Sequence, residues 1–101
     1  MKPANKQVIT SFHGTVFNAS VADLRKILGE PRYKVNDGRD KTNFQWVMET
    51  ENEKFFTVYD WKSYHSLEED EIVEWHIGGK SGIDTEEALN EIAEALNNLE
   101  D

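Results

Sequence analysis

Phe44-Gln45-Trp46-Val47-Met48-Glu49, the polar link Thr50-Glu51-Asn52-Glu53, and Phe55-Phe56-Thr57-Val58-Tyr59-Asp60-Trp61 read together as two adjacent strands. In the first run Phe44, Trp46 and Met48 alternate with Gln45, Val47 and Glu49. Successive strand residues point to opposite faces, so this period of two sets one strongly apolar face against a core. In the second run Phe55, Thr57, Tyr59 and Trp61 share one face, and Phe56, Val58 and Asp60 the other. Apolar groups on both faces predict a central strand, covered on two sides or covered on its outer face by another chain. An acidic connection, Glu68 to Glu71, leads to a third strand, Ile72 to Ile77, with Val73, Trp75 and Ile77 on one face and a stop at Gly78-Gly79.

Upstream, Val8 to Phe12 and Thr15 to Phe17 are rich in β-branched and aromatic residues, and His13-Gly14 between them predicts an opening strand with a bend or bulge. A helix follows. Ser20 and Asp23 have capping spacing, Val21, Leu24 and Leu28 share a face, and Gly29 with Pro31 stops it. Asn36-Asp37-Gly38 marks a turn. Downstream, Asp84 and Glu87 cap a last helix from about Thr85 to Asn98, with Leu89, Ile92, Leu96 and Leu99 as its buried stripe. The order β-α-β-β-β-α gives an α+β fold, a mostly antiparallel sheet with helices packed on it. The alternative is a helix-swapped dimer whose C-terminal stripe packs on a neighbour. One domain is expected over residues 7–99, after a flexible N-terminus of residues 1–6.

The 101 residues suffice for one modest core. The chain has no Cys, which excludes disulfides, thiolate metal sites and thiol nucleophiles and fits a reducing compartment. No run is apolar enough for a membrane span or a signal peptide, so a cytoplasmic location is expected. The net charge of −9 is split: residues 1–48 carry eight Lys/Arg and four Asp/Glu, residues 49–101 three Lys and sixteen Asp/Glu. Such an acidic chain is not expected to coat duplex nucleic acid. A local basic stretch, with Arg25, Lys26, Arg32, Lys34, Arg39 and Lys41, leaves room for an anion site.

Enzyme signatures are missing. There is no nucleophile elbow and no His-Glu-x-x-His, and Ile77-Gly78-Gly79-Lys80-Ser81 keeps only the tail of a phosphate loop. His13, His65 and His76 are too scattered for a metal site, so no metal, cofactor or catalytic residue is assigned. What remains is a binding constellation. Trp61, Lys62, Tyr64 and His65, with Trp75, His76, Gly78, Gly79, Lys80 and Ser81, gather π faces, amines and exposed backbone amides near strand ends, and Arg39 adds a guanidinium. That mixture suits a stacked base and a held phosphate. Separately, Glu87, Glu91 and Glu94 recur at helical spacing with Glu86, Glu100 and Asp101 nearby, a carboxylate face that suits mimicry of nucleic-acid phosphates.

The runs Tyr59–Tyr64 (YDWKSY), Glu71–Gly79 (EIVEWHIGG) and Asp37–Glu49 (DGRDKTNFQWVME) resemble small proteins encoded by bacteriophages. The resemblance implies a viral setting, in which small acidic or ligand-binding proteins neutralise host defence, and transfers no activity. The expected function is therefore non-enzymatic counter-defence: sequestration of a nucleotide-derived immune signal, a cyclic oligonucleotide or an ADP-ribose derivative, in the cytoplasm of an infected bacterium. A chain this small encloses such a ligand best at a symmetric interface, so a homo-oligomer is expected. The alternative is an acidic inhibitor that binds a host nuclease or another defence protein.

Overall fold

Residues 1–5 and 8–99 are described by a computed structural model. The long elements follow the expected order: β2 (Ser11–Ser20), α1 (Val21–Leu28), β4 (Phe44–Glu49), β5 (Phe55–Asp60), β6 (Ile72–Gly79) and α2 (Gly82–Leu99), with two-residue strands β1 (Lys2–Pro3) and β3 (Tyr33–Lys34) added. All pairings are antiparallel, in the order β1-β4-β5-β6-β2, and β3 also pairs with β4. The protein is an α+β fold. Lys2 and Pro3, within the segment expected to be flexible, pair with Glu49 and Met48, while Lys6 and the expected domain start Gln7 lie outside the described residues.

Alternation fills one face of the sheet. Phe44, Trp46 and Met48 of β4, Phe56 and Val58 of β5, and Val73, Trp75 and Ile77 of β6 are buried against Val21, Leu24 and Leu28 of α1 and Ala88 and Ile92 of α2. α2 packs on β2, β5, β6 and α1. Ser20 caps α1 by accepting from the Asp23 N–H at 3.1 Å, and Gly29 closes it at φ 84°. α2 opens at Gly82 rather than Thr85, because Ser81, not Asp84, supplies the cap: its Oγ accepts from the Asp84 N–H at 3.2 Å. Its buried line is accordingly Thr85, Ala88 and Ile92, with Leu89 and Leu96 partly buried and Leu99 exposed.

β2 is bent as its His13-Gly14 step predicts. Its register on β6 shifts between Phe12 and Val16, and Gly14 sits at φ 87°. Val8 to Thr10 stay outside the strand. On the face away from the helices, Thr10 Oγ1 lies 2.9 Å from Thr57 Oγ1, while Phe12, Val16, Asn18, Ile72 and Glu74 are exposed and leave that part of the face open.

Candidate functional site

The open face is built by register. Tyr59 lies opposite His76 on β6 and opposite Gln45 on β4, and His76 lies opposite Val16 on β2. Residues of one parity therefore converge. Phe12 stacks on His76 with centroids 4.2 Å apart, Tyr59 meets His76 at 5.6 Å and Trp61 at 6.2 Å, and Trp61 lies 6.4 Å from His76. Two ammonium groups attend Trp61: Lys41 Nζ at 5.5 Å and Lys62 Nζ at 5.8 Å from the ring centroid. Beside it runs a cleft of about 570 Å³, lined by Thr10, Tyr33, Asp40, Lys41, Thr42, Gln45, Thr57, Tyr59 and Trp61. Desolvation first, then the Asp40 and Asp37 carboxylates, raises the Tyr33 phenol above its ordinary value; burial does the same to Tyr59. Both stay neutral donors at neutral pH.

Two loops carry the amines, and a polar clasp holds them together. Asp60 is fully buried on the core face of β5, where a carboxylate is costly unless its oxygens are bonded. Its Oδ1 accepts from the Asn43 and Phe44 N–H groups at 2.8 and 2.9 Å, and its Oδ2 from Asn43 Nδ2 at 3.0 Å. Asn43 Nδ2 also donates to the His65 carbonyl, and its Oδ1 accepts from the Gly38 N–H. Asn36 and Leu67 exchange two bonds, at 2.8 and 2.6 Å, and the Lys62 N–H donates to the Lys41 carbonyl at 2.7 Å. At Gly38, φ 74°, a Cβ would stand 2.7 Å from the His65 backbone, so this crossing requires glycine. Lys62 and Tyr64 are held at φ 56° and 53°, a conformation that costs an L-residue about 1–3 kcal/mol and that the clasp supports.

The expected site residues divide. Trp61, Lys62 and His76 come together on the open face. Tyr64 is exposed on the neighbouring loop, and Arg39 is exposed with its N–H donating to Asp37. His65 faces Glu71 instead: Nε2 lies 2.7 Å from Glu71 Oε2, and Nδ1 2.7 Å from the Ser63 carbonyl.

Trp75 does not belong to the open face. It has no exposed surface, points to the helices, and donates its indole N–H to the Ala19 carbonyl at 2.9 Å. Gly78 and Gly79 admit side chains of the protein itself, since added Cβ atoms would meet Thr57 Oγ1 at 2.5 Å and Thr85 Cγ2 at 2.9 Å. Lys80 follows the end of β6 that pairs with Thr57, remote from the Asp60 and Trp61 end of β5, and the Ser81 hydroxyl caps α2. The carboxylates of α2 are partly engaged as well. Glu87 accepts from Asn52 Nδ2 and Glu91 from the Glu51 N–H, so they brace the 50–53 turn; Glu100 and Asp101 lie outside the described residues.

Phe12 and Tyr59 join the cluster although the sequence reading does not assign them to the site, and Lys41 joins it from the basic stretch. Tyr59 shares strand parity with Trp61, a signal present in the sequence; Phe12 and Lys41 need the β2–β6 register and the loop clasp. No family model matches this chain, and no curated protein or solved structure matches it.

Proposed function

We propose that this chain is a non-enzymatic binding protein that takes a nucleotide-derived ligand on the open face of its sheet, with a base stacked at Trp61 and phosphate paired with Lys41 and Lys62. The observation that carries the reading is the pair of ammonium groups at a 43% exposed indole, beside a cleft of ligand size. An aromatic surface accepts a base, and a neighbouring ammonium meets the anion attached to it. The cleft edge adds Gln45, Thr42 and the Tyr33 phenol for hydrogen bonds to base or sugar. Stacking and charge pairing need no nucleophile. In the phage setting, the role is removal of a cyclic oligonucleotide or ADP-ribose signal in the cytoplasm of an infected bacterium. The acidic-inhibitor reading draws less support, since Glu87 and Glu91 are bonded within the chain.

Calorimetric titration of cyclic dinucleotides, cyclic trinucleotides and ADP-ribose compounds tests this. At least one should bind. Lys41→Ala or Lys62→Ala should weaken it about 10- to 150-fold, the loss of one charge-assisted contact. Lys80→Ala should leave affinity unchanged. Absence of binding at millimolar ligand, or equal affinity in both loop variants, overturns the assignment.

A further inference from the structure

The two ends of the sheet are treated differently. At one end, the outer side of β4 is covered along its length: β1 and β3 pair with it, the Ala4 N–H donates to Val47, the Arg32 N–H to Gln45, and the Val35 N–H to Asn43. The outermost strand there is two residues long, a lysine and a proline, both of which discourage further pairing. At the other end stands β2, ten residues long and, among the described residues, paired with β6 alone. β2 contains no Asp, Glu, Lys, Arg or Pro, although the chain is 31% charged. Ser11 to Gly14, Val16 and Asn18 are exposed, and Phe17 is only half-buried.

We propose that this edge is an interface at which a second copy of the chain adds its own β2, antiparallel about a twofold axis, so that one sheet continues through two molecules. Unpaired backbone N–H and C=O groups along a strand edge are a template for another strand. The choice of a second copy follows from charge. A twofold contact sets each patch against its own copy, so a basic or acidic patch would meet like charge, whereas β2 against β2 brings two uncharged strands into register. A twofold axis makes such a contact self-complementary and closed, which ends the pairing at two molecules. The bulge between Phe12 and Val16 confines regular pairing to the part beyond it, and Ala19 and Ser20 are buried at the turn into α1. Thr15 to Asn18 is the segment left, with Val16 on the open face. The inference is independent of the ligand assignment.

The test is the mass of the intact protein by sedimentation velocity across a concentration series, together with hydrogen exchange at the β2 amides. A dimer is expected, with exchange in Thr15 to Asn18 slowing as concentration rises. Val16→Lys places two ammonium groups near the axis and should raise the dimer dissociation constant about tenfold or more, without lowering the melting temperature at concentrations where the parent is monomeric, because Val16 is exposed in the single chain. Asn18→Lys gives the same reading if Val16→Lys folds poorly. Ile72→Lys, at an exposed site on β6 away from the edge, should leave the dimer intact. Since the chain has no Cys, Val16→Cys should form a disulfide-linked dimer under mild oxidation. A parent protein that stays monomeric at several hundred micromolar overturns the proposal. So does a dimer unaffected by both lysine variants, or β2 protection that appears only on adding a foreign peptide.

Discussion

Trp46 and Trp75 lie on the helix-covered face of the sheet, and Trp61 on the open one. The first pair are 1% and 0% exposed, meet edge to face at 5.5 Å, and donate their indole N–H groups to the Gly29 and Ala19 carbonyls. Trp61 is 43% exposed, and its ring is attended by lysines rather than enclosed by apolar groups. The same residue type thus serves stability where its polar atom is satisfied from within, and recognition where its π face is left for a partner.

The strongest way to break that comparison is on the core side. Trp46→Ala should cost about 3–5 kcal/mol in urea unfolding, through lost burial and the cavity left behind. A loss below 1 kcal/mol would place Trp46 with Trp61. Next comes the clasp beneath the open face: Asp60→Ala strands three buried donors and should cost about 2–3 kcal/mol, while freeing the loops that carry Lys41 and Lys62. Unfolding reads the first effect and ligand titration the second; unchanged stability would mean that water replaces the carboxylate.

Trp61→Ala should change stability by less than about 1 kcal/mol, since only a partly exposed ring is lost, yet lower ligand affinity at least tenfold. Lys62→Gly sharpens the point. It relieves the positive φ and deletes the ammonium, so the melting temperature should hold or rise while affinity falls.

The smallest effect is at the His65–Glu71 pair. The bond to Glu71, then that to the Ser63 carbonyl, raises His65 above its ordinary value. The bond to His65, then that from the Glu68 N–H, lowers Glu71. The His65 contribution is complete below the ordinary histidine pKa and disappears as pH rises through the raised folded value. The Glu71 contribution is present above the ordinary carboxyl value and disappears as pH falls through the lowered one. Both groups are partly solvated, so the effect on global stability should be slight. NMR titration should show the His65 midpoint falling in Glu71→Gln; an unmoved midpoint breaks the pairing.

Local chemistry made much of this fold legible. The Ser20 cap, the Val21-Leu24-Leu28 face and the Gly29 stop define α1 within a few residues of one another, and the period of two assigns Phe44, Trp46 and Met48 correctly to the core. The start of α2 was harder, because Ser81-x-x-Asp84 and Asp84-x-x-Glu87 offer the same spacing. At the site, parity separates Trp75 from His76 but does not say which face lacks helices. The clasp joins Asn36 to Leu67 and Asn43 to Asp60 across the chain, and no local pattern announces such pairs.

β2 leaves the ribosome long before the strand it pairs with. β4, β5 and β6 close in sequence as neighbouring hairpins, whereas Val16 must find His76 across nearly the whole meander. Closing so long a loop costs entropy before any contact repays it, so docking of β2 should be the slow step of folding. Until then an uncharged strand carrying Phe12, Val16 and Phe17 waits without a partner, and crowded synthesis at high temperature should lose chains to aggregation at this stage before any other.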